Sequence, residues 1–244
     1  MLNAFLSRCA SAAAAAAANS GSKLDVVLGN EGGDMDSIVG SIYMAYFLSV
    51  DHSQGAVVVP LLNFPKSDLP LRNDVVQLLK SEGVDANLLM SAVSNDNAGA
   101  HGIVDLSDAA SSISLFDHNK LTSRQAHLMP LVKRVVDHHA DEGIYRDQCT
   151  PQIYSIAEVG SASTLVEELF YNNSVPVPQP LMLLAPIVLD TMNFDPIHKK
   201  TTPRDEASRD RLMACIPQFD GHDLSKLRAR LQEVYVADHA AQGA

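Results

Sequence analysis

Three short segments of this sequence run from apolar residues directly into acidic, amide or imidazole side chains. These side chains are Asn30, Asp34, Asp36, Asp117, His118, Asp137, His138 and His139. Carboxylates crowded together repel one another, so they stay ionised only if a cation neutralises them. A mixture of carboxylate and imidazole suits Mg²⁺, Mn²⁺ or Co²⁺, whereas a structural zinc site favours thiolates. The three segments therefore predict a site for a divalent metal.

A fourth acidic residue, Asp190, closes the apolar run at residues 181–189 and is another candidate for this site. An aspartate at the start of a helix has a simpler alternative role, which is to cap the first turn. Capping would account for Asp34 or Asp36 taken singly, since a helix pattern follows both residues. It accounts poorly for the pair, so metal binding is the preferred interpretation of the two acids together.

The elements that must position these residues alternate between strand and helix patterns. Strands are predicted at 24–28, 56–61, 88–90, 113–116 and 132–136, and helices at 36–50, 74–82, from the turn at Gly160 to Phe170, 181–192, 203–215 and 224–236. A helix-length stretch around 124–128 joins the last two strands, as a parallel crossover requires. The pattern predicts an α/β fold, doubly wound, with a mainly parallel sheet flanked by helices. Ligands in such sheets lie at the carboxyl ends of the strands.

Composition limits the function classes that remain. The chain has 244 residues, 46% of them hydrophobic, and a formal net charge of −11. That charge argues against binding to a nucleic acid duplex. The sequence has no apolar run long enough for a membrane span. Three cysteines without metal or disulfide spacing favour a reducing compartment, so a cytoplasmic location is expected.

The two ends of the chain are expected to differ from the central domain. Residues 1–22 read as a helix that packs on the domain through Leu2, Phe5, Leu6 and Cys9, with a mitochondrial presequence as the alternative. The domain itself is assigned to residues 23–222, and residues 223–244 to a further helix with a frayed tail.

Four motifs in series resemble those of the DHH phosphoesterase superfamily. They are Gly29-Asn-Glu-Gly-Gly-Asp-Met-Asp-Ser37, Asp117-His-Asn119, Asp137-His-His139 and Leu189-Asp-Thr-Met-Asn193. The resemblance covers residues 2–236. It is strongest to the branch with exopolyphosphatases, prune proteins and family II pyrophosphatases, through Leu69-Pro-Leu-Arg72, Val159-Gly-Ser161 and Thr202-Pro-Arg-Asp205. Members usually continue into a second, smaller domain that supplies phosphate-binding Arg and Lys, and this sequence is expected to lack it.

The resemblance also implies a role for each metal ligand. Asp34 and Asp117 would bind one ion, with Asn30 at the position of a histidine ligand. A second ion would be held by Asp36, Asp117, His138 and Asp190, so that Asp117 bridges the two. Mg²⁺ is the expected ion, with Mn²⁺ or Co²⁺ as alternatives, because an amide oxygen is a harder ligand than imidazole.

The remaining site residues are expected to act on the substrate or on a ligand. His139 would face the substrate and protonate the leaving phosphate, or else bond to a carboxylate. Asp137 would orient a histidine. His118 is either a phosphate contact or a strand-end histidine packed against the turn, and Arg72 is either a phosphate partner or part of a surface salt bridge.

The function that the resemblance implies is an exopolyphosphatase. It would hydrolyse the terminal phosphoanhydride bond of inorganic polyphosphate with a metal-activated water. Inorganic pyrophosphatase activity and hydrolysis of cyclic nucleotides or short oligonucleotides are alternatives within the superfamily. A noncatalytic, prune-like binding module is the alternative from a different class.

Overall fold

One sheet of six parallel strands organises the structure. The computed structural model describes residues 1–18, 23–51, 57–93, 106–149, 154–216, 224–225 and 229. The strands are β1 (Leu24–Leu28), β2 (Val58–Leu62), β3 (Met90–Ser91), β4 (Ala110–Phe116), β5 (Val132–Asp137) and β6 (Tyr154–Ile156). Their order is β3-β2-β1-β4-β5-β6, and every neighbouring pair is parallel. The predicted α/β fold with a parallel sheet is confirmed.

Seven helices connect and cover the strands within the described ranges. They are α1 (Leu2–Ala18), α2 (Met35–Asp51), α3 (Asn73–Ser81), α4 (Leu106–Ala109), α5 (Ala162–Asn172), α6 (Pro180–Asp190) and α7 (Pro203–Ala214). Helix α2 packs against α5 and α6, and α7 packs against both α5 and α6. None of the described helices is long and apolar enough to cross a membrane.

The central strands are buried along nearly their whole length. Val26, Val27 and Leu28 of β1 are inaccessible to solvent, as are Leu115 and Phe116 of β4. Strands covered on both faces need continuous apolar runs, which explains why β1 and β4 show no alternating pattern. The same runs leave polar side chains only where the strands end.

Helix α1 buries the four residues that the sequence predicted to form its apolar face. Leu2, Phe5, Leu6 and Cys9 are almost inaccessible, and the helix contacts β1 and β2. Phe5 also meets the ring of Tyr46 on α2 edge to face, with ring centroids 5.3 Å apart. The apolar stripe of α1 is therefore part of the same core as the sheet.

Several elements differ from the sequence expectation. The crossover between β4 and β5 is a 3₁₀ segment, Ser123–Leu131, and it contains Pro130, which cannot donate a backbone hydrogen bond. Strand β6 is absent from the predicted strands. It has only three residues, too few for a hydrophobic pattern, and it is defined by its pairing with β5. The helix predicted at 224–236 falls almost entirely outside the described residues.

Candidate metal centre

The candidate site lies where β1, β4 and β5 end. These strands are neighbours in the sheet, so the segments that follow them converge although they lie far apart in sequence. A cavity of about 540 Å³ opens there, between the strand ends and the segment that precedes α7. It is lined by Asp34, Asp36, Asp117, His138, His139, Glu158, Val159, Gly160, Asp190, Lys199, Lys200 and Thr202.

Asp117 follows the last residue of β4 and is 1% exposed. Its φ is 61°, a left-handed conformation that is strained for a residue with a side chain. Oδ2 accepts a hydrogen bond of 2.7 Å from Asn30. Oδ1 is buried and accepts no hydrogen bond within the described part of the chain. Burial and the neighbouring Asp36 raise the pKa of Asp117 to about 8.

His138 faces this carboxylate with one ring nitrogen. Its Nδ1 lies 3.1 Å from the carbonyl oxygen of Val159, so Nδ1 carries the proton and donates. Nε2 then lies 3.3 Å from Asp117 Oδ1 and 3.8 Å from Asp36 Oδ2. Burial alone would lower the pKa of His138, but the facing carboxylate of Asp117 and the charge of Asp36 raise it to about 10.

Asp36 is held by a helix other than its own. It lies in the first turn of α2, yet its two oxygens accept hydrogen bonds from the backbone N–H groups of Ala162 and Ser163, at 2.7 and 2.9 Å. These N–H groups belong to the first turn of α5, where unpaired donors favour an anion. Burial nevertheless raises the pKa of Asp36 above its usual value.

Asp34 has the capping role that was the alternative for one of the two acids. Its Oδ1 accepts a hydrogen bond of 2.9 Å from the backbone N–H of Ser37, at the start of α2. Asp34 is more exposed than Asp36 and lines the cavity as well. Capping occupies one oxygen and therefore does not exclude a metal at the other.

Asp190 is the last residue of α6, and its Oδ2 is buried without a hydrogen-bond partner in the described structure. Burial, followed by the charges of Asp36, Asp34 and Asp117, raises its pKa well above the usual range. Met192, Asn193 and Phe194, which follow it, all have positive φ, between 53° and 61°. Consecutive left-handed residues are costly, and such strain is often found at functional sites.

These observations fit a divalent cation. Two buried carboxylate oxygens, on Asp117 and Asp190, have no hydrogen-bond partner in the described structure, and burial raises the pKa of both carboxyls. Ligand atoms of Asp117, His138 and His139 lie within 4.8 Å of one another. A hard cation accepts carboxylate oxygen and imidazole nitrogen at such a site.

His139 differs from His138 in exposure, since 57% of its side chain is accessible. Its Nδ1 lies 2.8 Å from Asp137 Oδ1. Asp137 is fully buried and also accepts hydrogen bonds from the backbone N–H groups of His138 and His139 and from Asn119. Burial would raise the pKa of Asp137, but these hydrogen bonds lower it overall, so the carboxylate is ionised at neutral pH.

Asn30 contacts Asp117 as a donor. Its Nδ2 donates to Asp117 Oδ2 at 2.7 Å, while its Oδ1 accepts from the backbone N–H of Gly33 at 2.7 Å. For Asn30 to offer its oxygen to a metal, the amide would have to rotate and give up both contacts. Its role as a ligand remains a prediction.

His118 and Arg72 are not among the residues that line the cavity. His118 turns back so that Nδ1 lies 2.9 Å from the carbonyl oxygen of Phe116, in the strand that it follows. The guanidinium of Arg72 donates to the carbonyl oxygens of Gly32, Gly33 and Asp68 and stacks on the ring of Phe64 at 3.9 Å. In this arrangement Arg72 supports the glycine-rich turn after β1.

Sequence reasoning missed several cavity residues. Glu158, Lys199 and Lys200 line the cavity but belong to none of the motifs predicted from the sequence. The lysines occupy the segment between Asp190 and α7, and both are exposed at the cavity. Their position after the last metal motif was the signal available, but only the fold brings that segment back over the strand ends.

Comparison with known proteins agrees with these motifs. The model of the DHH family, N-terminal domain, matches residues 26–189. Exopolyphosphatase PRUNE1 of Homo sapiens is 31% identical over 199 residues, which cover 80% of this chain and 42% of that protein. A probable manganese-dependent inorganic pyrophosphatase of Lactiplantibacillus plantarum is 31% identical over 100 residues, which cover 40% of this chain and 32% of that protein.

A solved structure shares the fold. It is an exopolyphosphatase-related protein from Bacteroides fragilis, with a TM-score of 0.51 and 18% identity, and the match covers 84% of this chain and 56% of that one. This chain spans less than half the length of the human relative. Since the family model covers more than half of the chain and the four motifs meet in one cavity, the protein belongs to the DHH family, on the exopolyphosphatase and prune-like branch.

Proposed function

We propose that this site catalyses the metal-dependent hydrolysis of the terminal phosphoanhydride bond of inorganic polyphosphate. The observation that carries the proposal is the pair of buried carboxylate oxygens, on Asp117 and Asp190, that have no donor in the described structure. The names of the human and bacterial relatives support phosphoanhydride hydrolysis as the reaction class.

The charge of the cavity supports a role for cations in binding substrate. Five acidic side chains line it, against two lysines. A polyphosphate anion would be repelled by this lining unless cations neutralised the carboxylates first. A divalent metal is therefore part of the proposed function, with Mg²⁺ or Mn²⁺ as the ion.

The proposed ligands fall into two sets. Asp36, Asp117, His138 and Asp190 would hold one ion. Asp34 and Asp117 would hold a second ion, which would make Asp117 the shared ligand. Bound divalent cations supply Lewis acidity, which activates water and neutralises charge on the phosphoryl group.

His139 is the proposed catalytic acid. Its Nδ1 proton is engaged by Asp137, so Nε2 is the nitrogen available to a substrate in the cavity. A protonated ring can give the Nε2 proton to the oxygen of the leaving phosphate, which becomes a more stable anion by accepting it. Asp137 keeps the ring in this orientation.

The experiment tests several substrates on the wild-type chain and on a variant that lacks the carboxylate of Asp117. Phosphate release is measured with Mg²⁺ or Mn²⁺ from tripolyphosphate, a longer polyphosphate, pyrophosphate and a cyclic nucleotide. We expect release from the polyphosphates by the wild-type chain, and a loss of at least about 10³-fold in Asp117→Ala, because a ligand to both ions is removed.

A matched control separates this effect from damage to the fold. Asp147 is an exposed aspartate outside the cavity lining, so Asp147→Ala should keep wild-type activity. A preference for the cyclic nucleotide, or equal activity in Asp117→Ala and the wild type, would contradict the proposed function. A preference for pyrophosphate would assign the site to the pyrophosphatase alternative.

A further inference from the structure

Asp205, in the first turn of α7, is fully buried and makes more contacts than a helix cap requires. Its Oδ2 accepts hydrogen bonds from the backbone N–H and the hydroxyl of Thr202, at 2.8 and 2.7 Å, which complete the cap of α7. Oδ2 also accepts from the backbone N–H of Gly160 at 2.9 Å, and Oδ1 accepts from Thr164 at 2.6 Å. The last two contacts reach the loop before α5 and its first turn.

The contact with Gly160 leads directly to His138. The N–H of Gly160 and the carbonyl of Val159 are the two ends of one peptide group. Asp205 binds the N–H end, and Nδ1 of His138 donates to the carbonyl end at 3.1 Å. A carboxylate on the N–H polarises the carbonyl and fixes the plane of the peptide. His138 is thereby held with Nε2 toward Asp117.

The same loop continues to Asp36. After Gly160 and Ser161, the N–H groups of Ala162 and Ser163 hold the two oxygens of Asp36. The bond from Thr164 to Asp205 fixes the following residue of the same turn. The loop at 159–163 thus holds two proposed ligands, and Asp205 holds the loop.

Gly160 permits this close approach. A Cβ added there would lie 2.6 Å from the carbonyl oxygen of Lys200, 2.6 Å from Cγ2 of Thr191 and 3.1 Å from Oδ2 of Asp205. Any side chain at this position would push the loop away from Lys200 and Thr191, and so from the adjoining start of α7. The absence of a Cβ is therefore a requirement of the contact between Asp205 and the loop.

We propose that Asp205 is a positioning residue for the metal centre, acting on His138 through the Val159–Gly160 peptide and on Asp36 through the start of α5. The proposal rests on the proposed metal-dependent function. Loss of the Asp205 carboxylate should loosen both ligands at once and weaken the binding of divalent cations about 10- to 100-fold, as is typical for residues that orient metal ligands.

The chain offers a matched control for this effect. Glu167 on α5 is also a buried carboxylate, 2% exposed, and it also joins α5 to α7, through Arg211 and Ser208. The hydrogen bonds of its side chain go to α7 and not to the loop at 159–163. Glu167→Ala should lower the melting temperature as Asp205→Ala does, but leave metal affinity within about twofold of the wild type.

The experiment is a titration of the full chain with Mn²⁺ alone, by calorimetry, for the wild type, Asp205→Ala and Glu167→Ala. Weaker binding in Asp205→Ala only is the expected result. Equal affinity in Asp205→Ala and the wild type would overturn the proposal. If Asp205→Ala does not fold, Asp205→Asn replaces it, because its amide can still donate to Thr164 and accept from Gly160. A neutral acceptor is weaker, so affinity should fall about fivefold.

Amide hydrogen exchange in the metal-free chain gives a measurement independent of the metal. The amides of Gly160, Ala162 and Ser163 should lose protection in Asp205→Asn relative to that of Phe170, later in α5, and should keep it in Glu167→Gln. Unchanged protection would overturn the positioning role. A wild-type chain that binds no Mn²⁺ would contradict the proposed function instead, and the exchange experiment would still test Asp205.

Discussion

Asp137 accepts a hydrogen bond from Nδ1 of His139 at 2.8 Å, and this contact determines which ring nitrogen faces the cavity. Asp137 is ionised at neutral pH because its hydrogen bonds lower its pKa overall, despite its burial. An ionised carboxylate can only accept, so Nδ1 of His139 must carry a proton. The ring therefore presents Nε2 to the substrate in a fixed orientation.

Replacing His139 by glutamine should remove the proposed catalytic acid and lower kcat for polyphosphate about 10²- to 10⁴-fold. Asp137→Asn should lower kcat about 10- to 100-fold with a smaller change in KM, because the ring loses its orientation but not its chemistry. The measurement is steady-state phosphate release from tripolyphosphate at saturating metal.

The control for these variants is His127→Gln. His127 lies in the crossover before β5 and contacts Ser107, outside the cavity lining, so its replacement should leave kcat unchanged. A kcat for His139→Gln within about threefold of the wild type would show that His139 is not the acid.

The metal-free protein should lose stability as pH rises. In the folded state the pKa of Asp117 is raised from 3.8 to about 8 by burial and Asp36, and those of Asp36 and Asp190 are also raised. The folded state then binds more protons than the unfolded state, so the free energy of unfolding falls with pH. His138 adds to this, since stability present below its unfolded pKa of 6.5 is lost toward its folded pKa of about 10.

The measurement is the melting temperature, in chelator, between about pH 6.5 and 9, above the range in which the lowered pKa of His118 opposes the trend. Asp137 does not reverse the trend there, because its lowered pKa contributes stability that is complete above the usual aspartate range. Added Mn²⁺ should raise the melting temperature, and more so at high pH, where the ligands have lost their protons. In Asp117→Asn the melting temperature should fall less steeply with pH, and added Mn²⁺ should raise it only slightly. A melting temperature that rises with pH in chelator would contradict this account.

The sequence was sufficient to predict the parallel sheet and the convergence of its strand ends. The apolar runs of β1, β4 and β5 each stop at a polar residue, and parallel strands place such endings at one edge. Asp117 and His138, which are far apart in sequence, lie in contact as this argument requires.

The contacts that support the site were beyond sequence reasoning. Asp36 is bound by backbone N–H groups at the start of α5, and Asp205 binds the loop that precedes α5. Both contacts depend on how α2, α5 and α7 pack against one another. Side-chain hydrogen bonds across such distances leave no periodic pattern. Arg72 illustrates the same limit, because its guanidinium donates to backbone carbonyls of the glycine-rich turn and does not line the cavity.

Asn30→His should change the preference between metals. Imidazole is a softer ligand than an amide, so the variant should gain affinity for Mn²⁺ relative to Mg²⁺. The replacement also removes the contacts of Asn30 with Asp117 and Gly33. Asn30→Ala is therefore the control, because it loses the same contacts without adding a ligand. Calorimetric titration with each ion checks the prediction, and no gain for Mn²⁺ in Asn30→His over Asn30→Ala would refute it.

Lys199 and Lys200 should contribute to substrate binding but not to the chemical step. They are the two lysines in the cavity lining, and neither forms a salt bridge within the described residues. Replacing both by glutamine removes attraction for the polyphosphate chain, so KM should rise about 10-fold or more while kcat changes less than about threefold. The rise should shrink at high salt, where the wild-type attraction is screened. Lys80→Gln, on α3 and outside the lining, is the control and should leave KM unchanged. A fall in kcat with constant KM in the double variant would place the lysines in the reaction itself.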